Sequence, residues 1–174
     1  YWSVVGNKGQ EVAARAPLPV TNGGAYTAGT VQQAVPIVFA RLRERGLAPD
    51  RAVAAVVGAN GVVGFGICRQ LAGKVARLIL IGTDEQRLEK SAALLRKRAA
   101  GTQVEVSIDL SACREADMVF AATSTIEPVL FPQHLQANAI VYDLGRPADV
   151  AEEVLHLPGV TVIPGGIVRP PGEM

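Results

Sequence analysis

Short apolar runs and amphipathic stretches alternate along most of the chain. Six continuous apolar runs are typical of parallel strands buried on both faces. They occupy residues 53–57, 77–81, 104–108, 118–122, 140–144 and 160–163. Helical spacing separates them, over 62–71 and 83–98 and in shorter turns at 110–116 and 132–135. This alternation predicts an α/β fold with a doubly wound parallel sheet of about six strands, joined by right-handed crossovers.

The segment before the first strand is organised differently. Residues 1–20 lack a strong periodicity, and we expect a linker or the tail of a missing N-terminal domain there. Residues 21–24 read Thr-Asn-Gly-Gly, which indicates a turn. A leading helix is predicted over 26–45, perturbed at Pro36 and capped by Gly46. The folded domain is therefore expected to span 21–174.

Composition narrows the class of protein. Of 174 residues, 49% are hydrophobic and 19% charged, which suits a folded core. A net charge of +1 and 5% aromatic residues argue against a nucleic-acid partner. Apolar runs fall short of the roughly 18 residues of a membrane span. With two cysteines, the chain is predicted to be cytoplasmic rather than a secreted disulfide scaffold.

The charges are distributed unevenly. Residues 1–100 carry 14 Lys and Arg against 6 Asp and Glu, whereas residues 101–174 carry 3 against 10. The near-neutral total therefore hides a basic half that could face an anion.

A glycine-rich loop joins the first predicted strand to the next helix. It reads Gly58-Ala59-Asn60-Gly61-Val62-Val63-Gly64. Gly58 would permit the sharp turn, Gly61 the close approach of a pyrophosphate, and Gly64 tight packing of helix on sheet. The helix N-terminus would then face the phosphates. This context predicts a Rossmann-type NAD(P)-binding domain, and the alternative is a tight turn without a ligand.

The end of the second strand bears on the choice of cofactor. Thr83, Asp84 and Arg87 follow that strand. An acidic residue there would bind the ribose of NAD, and a basic one the 2′-phosphate of NADP. Alternatively, Thr83 or Asp84 simply caps the helix, with Thr83 and Gln86 as a capping box. These residues alone leave the choice between NAD and NADP open.

Later strand ends are candidates for the same cleft. Thr123 and Ser124 end the fourth strand and could pass beside a nicotinamide ribose. Gly145 lies in the loop after the fifth strand, and Gly165 follows the sixth. Each could be an ordinary loop residue, but ligands of such sheets bind at this carboxyl edge.

Several stretches of the chain resemble a known family over residues about 20–169. The motifs are Thr21-Asn22-Gly23-Gly24-Ala25-Tyr26-Thr27-Ala28, 53–64, Ile67-Cys68-Arg69-Gln70-Leu71, Gln86-Arg87-Leu88, Glu115-Ala116-Asp117, Asp143-Leu144-Gly145-Arg146-Pro147 and Pro164-Gly165-Gly166-Ile167-Val168. In this order they resemble the cyanobacterial long-chain acyl-(acyl-carrier-protein) reductases. More distantly the pattern is similar to shikimate dehydrogenase and glutamyl-tRNA reductase.

The resemblance implies an NADPH-dependent reduction of an acyl thioester to an aldehyde through an acyl-cysteine. The substrate would be a small molecule or an acyl group borne by an acyl carrier protein. Thr21-Asn22-Gly23 resembles the substrate-contacting Thr-Asp-Gly motif of the shikimate family, and Thr27 lies in the same stretch. These four residues are therefore assigned to substrate by resemblance. Oligomeric state stays open, with a homo-oligomer as one expectation.

Two departures from the family bear on activity. The family's cysteine follows Gly-Gly-Val-Val-Glu-His, but here Pro171 stands in its place. Thr83 stands where the family has an Arg for the 2′-phosphate. Catalytic residues are therefore unassigned, and a non-catalytic dinucleotide-binding module is the alternative function. We expect Cys68 and Cys113 to be buried and inert.

The spacing of the histidines does not indicate a metal site. His134 and His156 lack partners at metal-ligand spacing, so no metal site is predicted.

Overall fold

A single parallel sheet forms the centre of the molecule. The computed structural model describes residues 10–20 and 23–165. The strands are β1 (Val53–Val57), β2 (Arg77–Ile81), β3 (Gln103–Ser107), β4 (Met118–Ala121), β5 (Ile140–Asp143) and β6 (Thr161–Pro164). Their order is β3-β2-β1-β4-β5-β6. This is the doubly wound Rossmann-type order, so the predicted fold class is confirmed.

The two faces of the sheet are covered by different kinds of structure. The α-helices are α1 (Gln10–Ala13), α2 (Gly23–Glu44), α3 (Val62–Leu71) and α4 (Glu85–Arg96). The last three bury Val38, Ile67 and Leu88 against one face. The other face is covered by loops and short 3₁₀ helices at Leu110–Glu115, Pro132–His134 and Glu152–His156. Burial of apolar area on both faces stabilises the strands, which explains their continuous apolar sequences.

The strand register brings the connecting loops to one edge. Val57 pairs with Ile81 on one side and with Ala121 on the other. Ala121 pairs in turn with Asp143, and Asp143 with Pro164. Because all these residues end their strands, the loops that follow β1, β2, β4, β5 and β6 meet at the carboxyl edge.

The leading helix differs from its prediction. It begins at Gly23 rather than 26, because Gly23 and Gly24 form its first turn and the Thr27 hydroxyl donates to the Gly23 carbonyl (2.9 Å). Pro36 lies inside α2 on its exposed side without ending the helix. The predicted C-terminal cap is confirmed, since Gly46 has φ +80° and its amide donates to the Arg43 carbonyl (2.9 Å).

The predicted capping box at α4 is wrong. Asp84, not Thr83, caps the helix, and its carboxylate accepts the Arg87 amide (3.0 Å). Asp109 caps Leu110–Glu115, where its carboxylate accepts the Ser111 amide (2.8 Å), and this segment is 3₁₀ rather than α-helical. Among the described residues, every helix is too short or too polar to cross a membrane.

Candidate dinucleotide-binding site

The glycine loop leaves β1 and is tied to the end of β2. The amides of Gly58 and Ala59 both donate to the Ile81 carbonyl, at 2.9 and 3.0 Å. Gly58 has φ +80°, a left-handed conformation that side chains resist. The Gly61 amide then donates to the Gly58 carbonyl (2.9 Å), which closes the turn into α3.

The three glycines of the loop are required for different reasons. A Cβ on Gly58 would lie 2.5 Å from the Ala122 oxygen, and one on Gly64 only 2.2 Å from the Gly58 oxygen. Both positions therefore depend on glycine for the fold itself. A Cβ on Gly61 would meet a single atom, the Gly58 oxygen, at 3.2 Å. The fold thus demands glycine least at Gly61, and this residue is exposed, so a ligand could approach its backbone from solvent.

The N-terminus of α3 is suited to an anion. Its N-cap residue, Gly61, has extended backbone and no side chain with which to cap the helix. The first-turn amides and the positive end of the helix dipole lie in the first residues after it. Val62 is 43% exposed, so this turn borders solvent. A pyrophosphate could be held there by backbone donors.

Asn60 links the glycine loop to the end of β2. Its Nδ2 donates to the Asp84 carbonyl (3.3 Å), and its side chain lies over Gly82. The Asn60 Oδ1 atom is buried without a hydrogen-bond partner among the described residues. Thr83 and Arg87 are exposed beside it. The structure therefore gathers the predicted cofactor-selecting residues near the loop, although the Asp84 carboxylate already caps α4.

A buried aspartate that sequence reasoning missed supports the loop after β4. Asp149 is fully buried, and its Oδ2 accepts the Thr123 amide (2.8 Å). Its Oδ1 accepts the Thr123 hydroxyl and, at 3.5 Å, that of Thr125. Burial raises the pKa of Asp149, and nearby Asp143 adds to this rise, while the hydroxyl and amide donors oppose it. Ser124 is exposed beside this network.

Asp143 organises the neighbouring loop after β5. Its carboxylate accepts the amides of Gly145 (2.9 Å), Asp149 (3.2 Å) and Val150 (3.2 Å). A Cβ on Gly145 would lie 2.6 Å from the Asp149 Cγ, so this glycine is required for packing. The sequence near Asp149 carries no signal for this role, because Thr123 lies 26 residues earlier in the chain.

Gly165 closes the edge at β6. Its amide donates to the Asp143 carbonyl (2.6 Å), and its carbonyl accepts from the Arg146 guanidinium. A Cβ there would lie 2.8 Å from the Tyr142 ring. The predicted cofactor residues after β1, β4, β5 and β6 thus lie along one edge of the sheet.

The substrate residues assigned by resemblance are only partly described. Gly23 begins α2 exposed, and the Thr27 hydroxyl is engaged by the Gly23 carbonyl. The next residue, Ala28, would contact a Cβ on Gly66 at 2.6 Å, so this end of α2 packs closely on α3. Thr21, Asn22 and Pro171 lie outside the described residues.

Both cysteines are buried thiols remote from solvent. Cys68 on α3 and Cys113 before β4 are each fully buried. Burial raises the pKa of both thiols, that of Cys113 to about 12. Neither thiol therefore forms an appreciable thiolate near neutral pH. Within residues 10–20 and 23–165, no cluster of three His, Cys, Asp or Glu side chains could hold a metal ion.

Comparison with known proteins assigns the family. The family model of shikimate / quinate 5-dehydrogenase matches residues 43–164, which run from the end of α2 to the end of β6. The chain belongs to this family. A curated relative, the long-chain acyl-[acyl-carrier-protein] reductase of Synechococcus elongatus, is 30% identical over 152 residues. That match covers 86% of this chain and 42% of the relative, so the chain spans less than half of the relative's length.

Solved structures agree on the fold. A shikimate 5-dehydrogenase of Listeria monocytogenes, solved with shikimate and NAD, has a TM-score of 0.54 at 20% identity and covers 74% of this chain and 50% of that one. The nucleotide-binding domain of glutamyl-tRNA reductase from Thermoplasma volcanium has a TM-score of 0.51 at 18% identity, with coverage of 73% and 83%. The predicted resemblance to the shikimate dehydrogenases and to the acyl-carrier-protein reductase is confirmed, and the glutamyl-tRNA reductase domain shares the fold.

Proposed function

We propose that the chain binds NAD(P)(H) at the glycine loop and forms the cofactor-binding part of an oxidoreductase. The observation that carries this proposal is the contrast among the loop glycines: a Cβ on Gly58 or Gly64 would clash with backbone at 2.5 Å or less, whereas one on Gly61, at the exposed N-terminus of α3, would meet only the Gly58 oxygen at 3.2 Å. A pyrophosphate fits that requirement, because it needs close backbone approach and amide donors.

The finer proposal is a preference for NADPH and an acyl thioester substrate. It is supported by the likeness to the acyl-carrier-protein reductase and by the exposed Arg87 and Lys90 on α4, which could face a 2′-phosphate. The bound dinucleotide would supply hydride. The chain would hold its pyrophosphate at Gly61 and its nicotinamide half near Thr123, Gly145 and Gly165.

A second candidate function is a non-catalytic dinucleotide-binding module. The buried Cys68 and Cys113 favour it, because neither thiol can reach an acyl thioester at the carboxyl edge. The two functions differ in one measurement. An oxidoreductase oxidises NADPH when acyl-(acyl-carrier-protein) or acyl-CoA is added, and a binding module does not.

Calorimetric titration tests the shared part of both functions. NADPH and NADH are titrated into the wild type, Gly61→Val and a control, Gly29→Val, whose new side chain would project into open space on α2. We expect saturable binding to the wild type and the control, and at least about a tenfold weaker affinity for Gly61→Val because its side chain occupies the pyrophosphate position. A folded wild type that binds neither dinucleotide would refute the proposal.

A further inference from the structure

We infer that Asp149 is a positioning residue for the nicotinamide half of the cofactor, acting through the loop at 123–125. This inference rests on the proposed function. It concerns a residue that lies behind the carboxyl edge of the sheet and contacts the edge through Thr123 and Thr125.

The hydrogen bonds of Asp149 converge on one loop. Its carboxylate accepts the Thr123 amide, the Thr123 hydroxyl and the Thr125 hydroxyl, and the two hydroxyls are 2.7 Å apart. Asp149 is fully buried, whereas Ser124 and Thr125 are exposed. A buried carboxylate is therefore used to order a segment that borders solvent.

Burying a carboxylate is unfavourable unless donors surround it. The Thr123 and Thr125 donors offset this cost, whereas the charge of Asp143 adds to it. Asp143 contributes in another way, because its carboxylate accepts the Asp149 amide (3.2 Å) and fixes the backbone there. The two aspartates therefore form a chain of contacts. Asp143 binds backbone amides of the loop after β5, including that of Asp149, and the Asp149 carboxylate in turn binds Thr123 in the loop after β4.

The position of Thr123 connects this network to the glycine loop. A Cβ on Gly58 would lie 2.5 Å from the Ala122 oxygen and 3.2 Å from the Thr123 nitrogen, so the two loops are in close contact. Gly145, on the β5 side, packs against the Asp149 carboxylate. The loop at 123–125 therefore stands between the pyrophosphate position and the β5 edge, where the nicotinamide half must pass.

The test compares two ligands that share only part of their structure. ADP carries the adenosine and the pyrophosphate, whereas NADH or NADPH adds the second ribose and the nicotinamide. Asp149→Leu removes the acceptors for Thr123. Asp149→Asn keeps one oxygen acceptor for the Thr123 amide. Its Nδ2 can donate to the Thr123 hydroxyl, which can then donate to the Thr125 hydroxyl. Asp117→Leu is the matched control, because Asp117 accepts the Val53 amide at the same 2.8 Å at the opposite edge.

We expect Asp149→Leu to weaken binding of NADH or NADPH, whichever the wild type prefers, by about tenfold while ADP changes by less than about twofold. Asp149→Asn should restore the affinity to near the wild-type value, and Asp117→Leu should leave both ligands unaffected. Equal losses for ADP and the dinucleotide, or no loss for either, would overturn the inference. If the wild type binds neither ligand, the proposed function fails as well.

A measurement on the wild type covers the case in which Asp149→Leu does not fold. Amide hydrogen exchange is followed in peptides containing 123–125 with no ligand, with ADP and with the preferred dinucleotide. The inference predicts added protection with the dinucleotide over ADP. Equal protection by the two ligands would contradict it.

Discussion

The substitution Gly64→Ala should separate the structural glycines of the loop from the ligand-facing one. The new Cβ would lie 2.2 Å from the Gly58 oxygen, 2.8 Å from its carbonyl carbon and 3.0 Å from the Ala59 Cα. All three atoms belong to the backbone, so α3 must move away from β1. Because the contacts are with backbone, the cost falls in the upper part of the overpacking range, about 2–3 kcal/mol, and the helix propensity of alanine returns roughly 0.5–1 kcal/mol. A net loss of about 1–2.5 kcal/mol in the free energy of unfolding is expected.

Gly61→Ala is the matched comparison. Its Cβ would meet one atom at 3.2 Å, and its backbone, at φ −75° and ψ 164°, suits alanine. Replacing glycine at the N-cap costs about 0.5–1 kcal/mol.

Urea unfolding followed by far-UV circular dichroism measures both variants. In a thermal scan followed by the same signal, Gly64→Ala should lower the melting temperature by roughly 2–4 °C for each kcal/mol lost. An unchanged urea midpoint for Gly64→Ala, or a lower stability of Gly61→Ala than of Gly64→Ala, would contradict this expectation.

Three further predictions follow from the site. Thr83→Arg should tighten NADPH binding by about tenfold through charge-assisted contacts with the 2′-phosphate and leave NADH unchanged, as measured by calorimetry; a gain for NADH would contradict it. Incubation with long-chain acyl-CoA should leave no acyl adduct on Cys68 or Cys113 in mass spectrometry, because burial raises the pKa of both thiols; a stoichiometric adduct would locate a nucleophile there. Burial raises the pKa of Asp149, so the folded state holds that proton more tightly than the unfolded state, and its contribution to stability falls as pH rises above its ordinary value of 3.8. Urea unfolding should therefore show the free energy of unfolding of Asp149→Asn rising relative to that of the wild type as the pH increases from 4 to 7. A difference between the two proteins that stays constant or falls over this range would contradict the prediction.

The strands could be predicted from the sequence because each is buried on both faces. Val53–Val57 and Met118–Ala121 are continuous apolar runs, and all six strand ends lie within one residue of their predicted positions. The glycine loop could also be predicted from the sequence, because Gly58, Gly61 and Gly64 stand at the junction of the first strand and the next helix.

Features that depend on distant partners could not be predicted. Asp149 acts on Thr123, which lies 26 residues earlier in the chain, and no local pattern marks that pair. The sequence offers two good capping residues for α4, Thr83 and Asp84, and only the fold decides between them. Asn60 contacts the Asp84 carbonyl, a contact that only the folded loop reveals.

Binding of a dinucleotide at the carboxyl edge, with its pyrophosphate on the glycine loop, should change the environment of the loop amides. This is measured by titrating the ¹⁵N-labelled chain with NADH and NADPH and following the amide chemical shifts. We expect saturable shifts that are largest for Gly61–Gly64 and extend to Thr123 and Gly145, with the control Val53 at the opposite edge unmoved. Shifts confined to the opposite edge, or none with either dinucleotide, would contradict it.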